Sequence, residues 1–64
     1  MRIDKVKFAT ELARADVSAK ELASRTGVSR VTISAIKSGK SCASDTAKKL
    51  AEGLGVAVAD LVQQ

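Results

Sequence analysis

Side chains that commonly perform acid–base or metal chemistry are nearly absent from this chain of 64 residues. It has no His, Tyr or Trp, so the usual proton carrier of catalysis and the commonest metal ligand are missing. No carboxylates stand at a spacing useful for catalysis, and no glycine loop of the phosphate-binding kind occurs. We therefore expect a protein that is not an enzyme and that takes no metal, cofactor or small-molecule ligand.

Basic and hydroxyl side chains, by contrast, recur between positions 18 and 40. Eleven Lys and Arg against seven Asp and Glu give a net charge of +4, which favours a polyanion as partner, although many small basic proteins have no such role. No apolar run could span a bilayer and no signal peptide is visible, so we expect a cytoplasmic protein with no membrane partner. The single cysteine, Cys42, fits a reducing compartment, and we interpret it as inert rather than as a redox sensor.

The elements that would position these groups are short helices in one domain, residues 1–64, that is rich in alanine and lacks proline. Asp4 is a plausible N-cap for a first helix that ends near Ala15. Its apolar residues share one side at helical spacing and are Val6, Phe8, Ala9, Leu12 and Ala13. Val17 would pin the following connection to the core.

The stretch from Ser18 to Lys40 predicts two helices joined at Gly27. Ser18 and Glu21 form a capping box, and Leu22 and Ala23 would be buried. Glycine suits the sharp turn because it readily adopts positive φ. The apolar residue that follows, Val28, would fill the corner between the helices. Ser29 then caps the second helix of this pair, which is the third helix of the chain. It runs through Lys37 and buries Ile33 and Ile36. The β-branched run 31–33 would alone suggest a strand, but the caps and this spacing favour a helix that Gly39 ends.

A fourth helix begins at Ala43 or Ser44. Its buried residues repeat at three- and four-residue steps and are Ala47, Leu50, Ala51 and Leu54. Gly55 ends this helix, and residues 56–62 predict a fifth, short helix whose start is poorly capped because Ala57 stands where Ser or Thr is preferred. The sequence thus predicts an all-α, compact five-helix domain.

The residues LASRTGVSRVTISAIKSGK resemble the helix-turn-helix of the Cro/C1-type (XRE-like) family, the phage lambda repressor-like DNA-binding domains. The later KLAEGLGVAVADL is similar to the fourth and fifth helices of that domain, so the resemblance covers nearly the whole chain. It implies a sequence-specific binder of double-stranded DNA, a repressor-type transcriptional regulator of phage or bacterial kind. The helix at 29–38, which we call the recognition helix, would enter the major groove.

The resemblance also implies which side chains touch DNA. Base contacts would come from four residues on the exposed face of the helix at 29–38: Arg30, Val31, Ser34 and Ala35. Arg30 would bond guanine, and the other three would contact methyl groups or form single hydrogen bonds. Backbone contacts would come from helix starts and the end of the recognition helix: Ser18, Ala19, Ser29, Lys37, Ser38 and Lys40. A homodimer would pair through the last helix, in particular through Val58, Leu61 and Val62.

Two features leave a different function open: the loop at 41–44 carries no charge, and the polar side chains on the exposed face of the helix at 29–38 are short. An Arg–Glu pair common in the family is replaced here by Leu12 and Lys37, which leaves Lys37 free to face DNA. Val31 on the exposed face is either incidental or a thymine-methyl reader. The alternative is a protein-interaction module of antitoxin-like type that keeps the fold with little DNA readout.

Overall fold

Four α-helices and one turn of 3-10 helix make up the computed structural model, which describes residues 1–63. The helices are α1 (Lys5–Ala15), α2 (Ala19–Thr26), α3 (Arg30–Lys37) and α4 (Ser44–Leu54), and the 3-10 turn is Val58–Asp60. The all-helical class is confirmed. The prediction of a fifth helix is wrong, because residues 58–60 form one 3-10 turn. The Ala57 side chain offers no acceptor for the first turn, although the Asp60 carboxylate accepts the Ala57 N–H at 3.2 Å.

The helix starts lie where the hydroxyl and carboxyl caps predict them. Asp4 Oδ1 accepts hydrogen bonds from the N–H groups of Val6 and Lys7 at 2.9 and 3.0 Å. The Oγ of Ser18 accepts from Glu21 N–H at 3.1 Å. The other half of the expected capping box is wrong, because the Glu21 carboxylate pairs with Arg25 Nη2 at 3.1 Å. Each cap satisfies an amide that has no partner within its helix.

One hydrophobic core joins all the helices. Its fully buried large side chains come from each helix and both chain ends: Phe8, Ile3, Leu22, Ile33, Ile36, Leu50 and Leu61. Val17 and Val28 are buried as expected, and Ala47 and Ala51 let α4 approach its neighbours closely. The predicted apolar side of α1 is wrong in part, because Val6 is 70% exposed and Ala9 and Ala13 are exposed as well. The buried face of α1 is narrower than predicted and is formed by Phe8 and Leu12.

The N-terminal segment, residues 1–3, pairs with two distant parts of the chain. Arg2 forms an isolated antiparallel bridge with Ser41, and Ile3 forms another with Val62. Asp4 N–H donates to the Leu61 carbonyl at 2.8 Å. These pairings place the Ile3 side chain in the core, which the helical pattern of the sequence does not reveal.

α1 ends at a residue in the left-handed conformation that is not glycine. Asp16 has a φ of 55°, and the Val17 N–H donates to the Leu12 carbonyl at 3.1 Å across it. A side chain in this conformation costs about 1 kcal/mol, and a carboxylate at a helix C-terminus opposes the helix dipole.

Asp16→Gly is therefore expected to raise the free energy of unfolding by roughly 0.5–1 kcal/mol, as measured by urea titration. Asp16→Asn isolates the charge, because it keeps the Cβ, and should give a smaller gain. A less stable glycine variant would contradict this explanation.

Candidate nucleic-acid interface

The turn between α2 and α3 is held by hydrogen bonds on both sides of Gly27. Gly27 has a φ of 77° and its N–H donates to the Ala23 carbonyl at 2.9 Å. Thr26 Oγ1 donates to the Leu22 carbonyl at 2.8 Å and accepts from Val28 N–H at 3.2 Å. Val28 then packs into the core, as its position after the glycine predicts. The angle between the two helices is thus fixed by local bonds and by burial.

α3 has one buried and one exposed face. Ile33 and Ile36 are 0% and 1% exposed, so the opposite side of the helix points away from the body. Arg30 and Ser34 are exposed on that side, and Val31 is 80% exposed. Ala35 is half-buried. The structure therefore brings three of the predicted base-contact residues together on one outward face, with Ala35 at its margin.

The start of α2 lies beside the end of α3. Ser18, Ala19 and Lys37 line one shallow groove of about 560 Å³, together with Leu12 of α1. The N–H groups at the first positions of α2 have no acceptor within the helix, and the helix dipole makes this end positive. Lys37 adds a full positive charge to the same region. Two carboxylates also line the groove, Asp16 and Glu21, and the second of these is paired with Arg25.

Most basic side chains near α3 are free of carboxylate partners. Within residues 1–63, the ion pairs are Arg14 with Glu11 at 3.4 Å and Arg25 with Glu21 at 3.1 Å. Arg30, Lys37 and Lys40 are exposed and belong to neither pair. Their charges are available to an anionic partner.

All three predicted phosphate-binding serines already use their hydroxyl groups within the protein, Ser18 as the cap of α2. Ser29 Oγ accepts from Thr32 N–H at 3.1 Å and lies 2.9 Å from Thr32 Oγ1. Ser38 Oγ donates to the Ser34 carbonyl at 3.1 Å. A phosphate contact from Ser38 therefore requires its hydroxyl to leave that bond. Lys40, by contrast, is tied only through its backbone, whose N–H donates to the Ala35 carbonyl at 3.1 Å.

A sequence model of the helix-turn-helix family matches residues 10–61. The match includes α2, the turn at Gly27 and α3, and it spans most of the chain. The chain belongs to the Cro/C1-type helix-turn-helix family. This helix-turn-helix protein is accordingly of the DNA-binding transcription-regulator type. A search of curated proteins and a search of solved structures each returned no match.

The described part of this helix-turn-helix protein contains no helix that is long and apolar enough to cross a membrane. Likewise, no group of three or more His, Cys, Asp or Glu side chains in residues 1–63 is placed to hold a metal ion.

Arg2 and Lys5 are basic residues near the interface that sequence reasoning missed. Both line a second groove together with Ser38 and Gly39, at the end of α3. The bridge between Arg2 and Ser41 carries this segment to the loop after the recognition helix. No local pattern marks such a pairing between residues so distant in sequence, so only the tertiary structure reveals it.

Cys42 lies in the loop of this helix-turn-helix protein that meets the N-terminus. Its N–H donates to the Met1 carbonyl at 2.8 Å, and its carbonyl accepts from the Met1 ammonium at 3.0 Å. Burial raises the pKa of the thiol above its ordinary value of 9.0, and the nearby ammonium only partly offsets that effect. A raised pKa keeps the thiol protonated and poorly nucleophilic near neutrality.

Alkylation of Cys42 by iodoacetamide at pH 8 is therefore expected to be slower in the native protein than in the urea-unfolded chain. Because the folded pKa is raised, its contribution to stability is present below pH 9.0 and is lost as pH rises through the folded value. The free energy of unfolding of Cys42→Ser, measured against pH, gives the contribution of the other groups that titrate at alkaline pH. Equal alkylation rates in the two states would contradict the assignment.

Proposed function

We propose that this protein is a sequence-specific transcriptional repressor of double-stranded DNA that inserts the helix 29–38 into the major groove. The observation that carries the proposal is the outward face of α3, which holds Arg30, Val31 and Ser34 opposite two buried isoleucines. A major groove about 12 Å wide admits one α-helix. A protein bound at a promoter or operator blocks the access of other proteins to that DNA, and repression of this kind needs no activity besides binding.

Base readout rests on few side chains in this proposal. Arg30 donates two parallel hydrogen bonds to guanine O6 and N7, a contact that discriminates strongly among bases. Val31 contacts a thymine methyl, and Ser34 forms one less selective hydrogen bond. Ala35 reaches DNA only from the margin of the helix, because it is half-buried.

Backbone contacts set the register of α3 on the duplex. The free N–H groups at the start of α2, beginning at Ala19 beside its Ser18 cap, face one phosphate. Lys37 borders the same groove, and Lys40 and Ser38 follow α3 toward a phosphate of the flanking sequence. Ser29 acts through its cap, since its hydroxyl holds the first turn of α3.

Two copies on a two-fold site would supply the specificity that one copy lacks. The dimer contact expected at the chain end needs correction, because Leu61 is fully buried in the core of its own protomer. Val58 and Val62 are half-buried and pack at the edge of that core. Any pairing through this end must therefore use the exposed parts of these two valines.

The second candidate function is a protein-interaction module of antitoxin-like type. The exposure of Val31 favours it, because an apolar side chain that is 80% exposed also suits a protein surface. This candidate predicts that Arg30→Ala leaves function intact and that changes at Val62 abolish it. A change at Leu61 does not test this candidate, because replacing a core residue disrupts the fold itself.

A fluorescence titration with duplex DNA tests the proposed function. Binding to a pooled random duplex at low salt should weaken steeply as salt rises, because each neutralised phosphate releases counterions. Failure to bind any duplex at low salt would contradict the proposal and leave the interaction module.

A further inference from the structure

The N-terminal segment is anchored rather than free. Ile3 is 1% exposed, Arg2 bridges Ser41 on one side, and the Gln63 N–H donates to the Arg2 carbonyl at 2.9 Å on the other. Backbone pairing on both sides and a buried side chain hold this segment against the loop that follows α3. Its charged side chains therefore have fixed attachment points.

Lys5 lies directly over the end of the recognition helix. Its Cδ is 3.8 Å from the position that a Cβ on Gly39 would occupy, and the two residues share a groove of about 350 Å³ with Arg2 and Ser38. The aliphatic stem of Lys5 therefore lies within van der Waals reach of residue 39, at the end of α3. Both Arg2 and Lys5 are exposed, so their charged ends reach solvent beside the groove.

The charge of this groove is positive. One acidic residue, Asp4, lines the groove. The Asp4 carboxylate accepts hydrogen bonds from the amides of Val6 and Lys7. Arg2 and Lys5 belong to neither of the ion pairs within residues 1–63. The groove therefore presents two cations and one carboxylate, and that carboxylate bonds backbone amides and forms no ion pair with either cation.

We propose that Arg2 and Lys5 hold a phosphate of the DNA strand that passes the C-terminal end of α3. This proposal rests on the proposed function, since α3 must lie in the major groove for that strand to be within reach. The loop at 41–44 is uncharged, so the groove supplies from the N-terminal segment the cations that the loop lacks. Two cations that line one groove with Ser38 and Gly39 suit a phosphodiester, which is recognised by charge without base preference.

Lys5→Gln should reduce the slope of log K against log salt by about 0.9, which is the share of one phosphate contact. At about 0.1 M salt the affinity should fall roughly five- to tenfold, and by the same factor on preferred and unrelated duplexes. Arg2→Gln should act in the same direction. Lys5→Arg keeps the charge and should retain the slope.

Lys49→Gln is the matched control, because Lys49 is also exposed and lines a different groove with Glu52 and Gly53. It changes the net charge equally and should leave the slope near that of the unsubstituted protein. Duplexes in which one phosphate is replaced by a neutral methylphosphonate locate the contact. Replacement of one phosphate in the flanking sequence should lower the affinity of the unsubstituted protein and leave that of Lys5→Gln unchanged.

Three outcomes of this experiment are distinguishable. If the unsubstituted protein binds duplex DNA and Lys5→Gln shows the same slope, the phosphate contact is overturned while the proposed function stands. An equal loss in Lys49→Gln also overturns it, because general charge then explains the effect. If the unsubstituted protein binds no duplex, the proposed function fails and the phosphate contact fails with it.

Discussion

Arg30→Ala is expected to weaken binding to the preferred duplex by roughly 5- to 150-fold, which corresponds to about 1–3 kcal/mol of base discrimination. Arg30 is exposed at the first position of α3, where the helix start enters a major groove first. The neighbouring residues on the outward face have short side chains, so no other group there can replace a bidentate guanidinium. Competition titrations with single-base variants of the preferred duplex measure the effect.

Arg30→Lys separates readout from charge. Lysine keeps the positive charge but lacks the planar fork that bonds two acceptors of guanine, so this variant should bind unrelated duplexes normally and discriminate less. Selectivity should fall at one base pair of each half-site. Equal losses on preferred and unrelated duplexes in Arg30→Ala would make Arg30 a phosphate contact and would contradict the assigned role.

Gly53→Ala is expected to destabilise the protein, although alanine is the better helix former by about 1 kcal/mol. Gly53 lies within α4, where a Cβ would overlap Thr26 Cγ2 and approach Leu22 Cδ1 to 3.2 Å. Thr26 cannot turn away easily, because its hydroxyl bonds both the Leu22 carbonyl and the Val28 N–H. Overpacking of this kind costs about 1–3 kcal/mol. After the gain in helix propensity is subtracted, a net loss of up to about 2 kcal/mol remains, so we expect the melting temperature to fall by up to roughly 15 °C.

Thr26→Ser provides the matched background for this test. Serine keeps the hydroxyl and its two bonds, and it removes the methyl group that meets the new Cβ. Gly53→Ala should cost much less in the Thr26→Ser background, which gives a favourable coupling in a double-mutant cycle. The same cost in both backgrounds would show that α2 and α4 separate for another reason.

Because the Thr26 hydroxyl accepts from Val28 N–H in the turn before α3, the contact at Gly53 also connects α4 to the orientation of α3. If Thr26 moves to admit a Cβ, the Val28 N–H loses its acceptor at the corner between α2 and α3. The close approach of α4 to α2 is thus part of what holds α3 in its orientation.

Local patterns predicted the helices of this protein well. The caps at Asp4, Ser18 and Ser29 and the glycine turn at Gly27 act within a few residues, so the sequence itself carries their signal. Spacing at three and four residues likewise identified Ile33 and Ile36 as buried, and with them the outward face of α3. The residues of α1 show the limit, since periodicity placed Val6 on the buried side although it lies beyond the core.

Long-range pairings were not predictable from such patterns. Ile3 enters the core because residues 1–3 bridge Ser41 and Val62, and those partners are far apart in sequence. The same pairings hold the chain extended after the 3-10 turn, because Val62 bridges Ile3 and the Gln63 N–H donates to the Arg2 carbonyl. Lys5 lies at the end of α3 through this arrangement, which no local pattern in the sequence shows.

The central claim, that α3 reads DNA sequence, is tested most directly by selecting bound duplexes from a random pool. We expect an enriched sequence with two-fold symmetry, whose half-site centres are about 10 base pairs apart. A guanine in each half-site should lose its enrichment when the selection is repeated with Arg30→Ala. Retained duplexes that share no sequence would contradict the claim, because the protein would then bind DNA through its backbone alone.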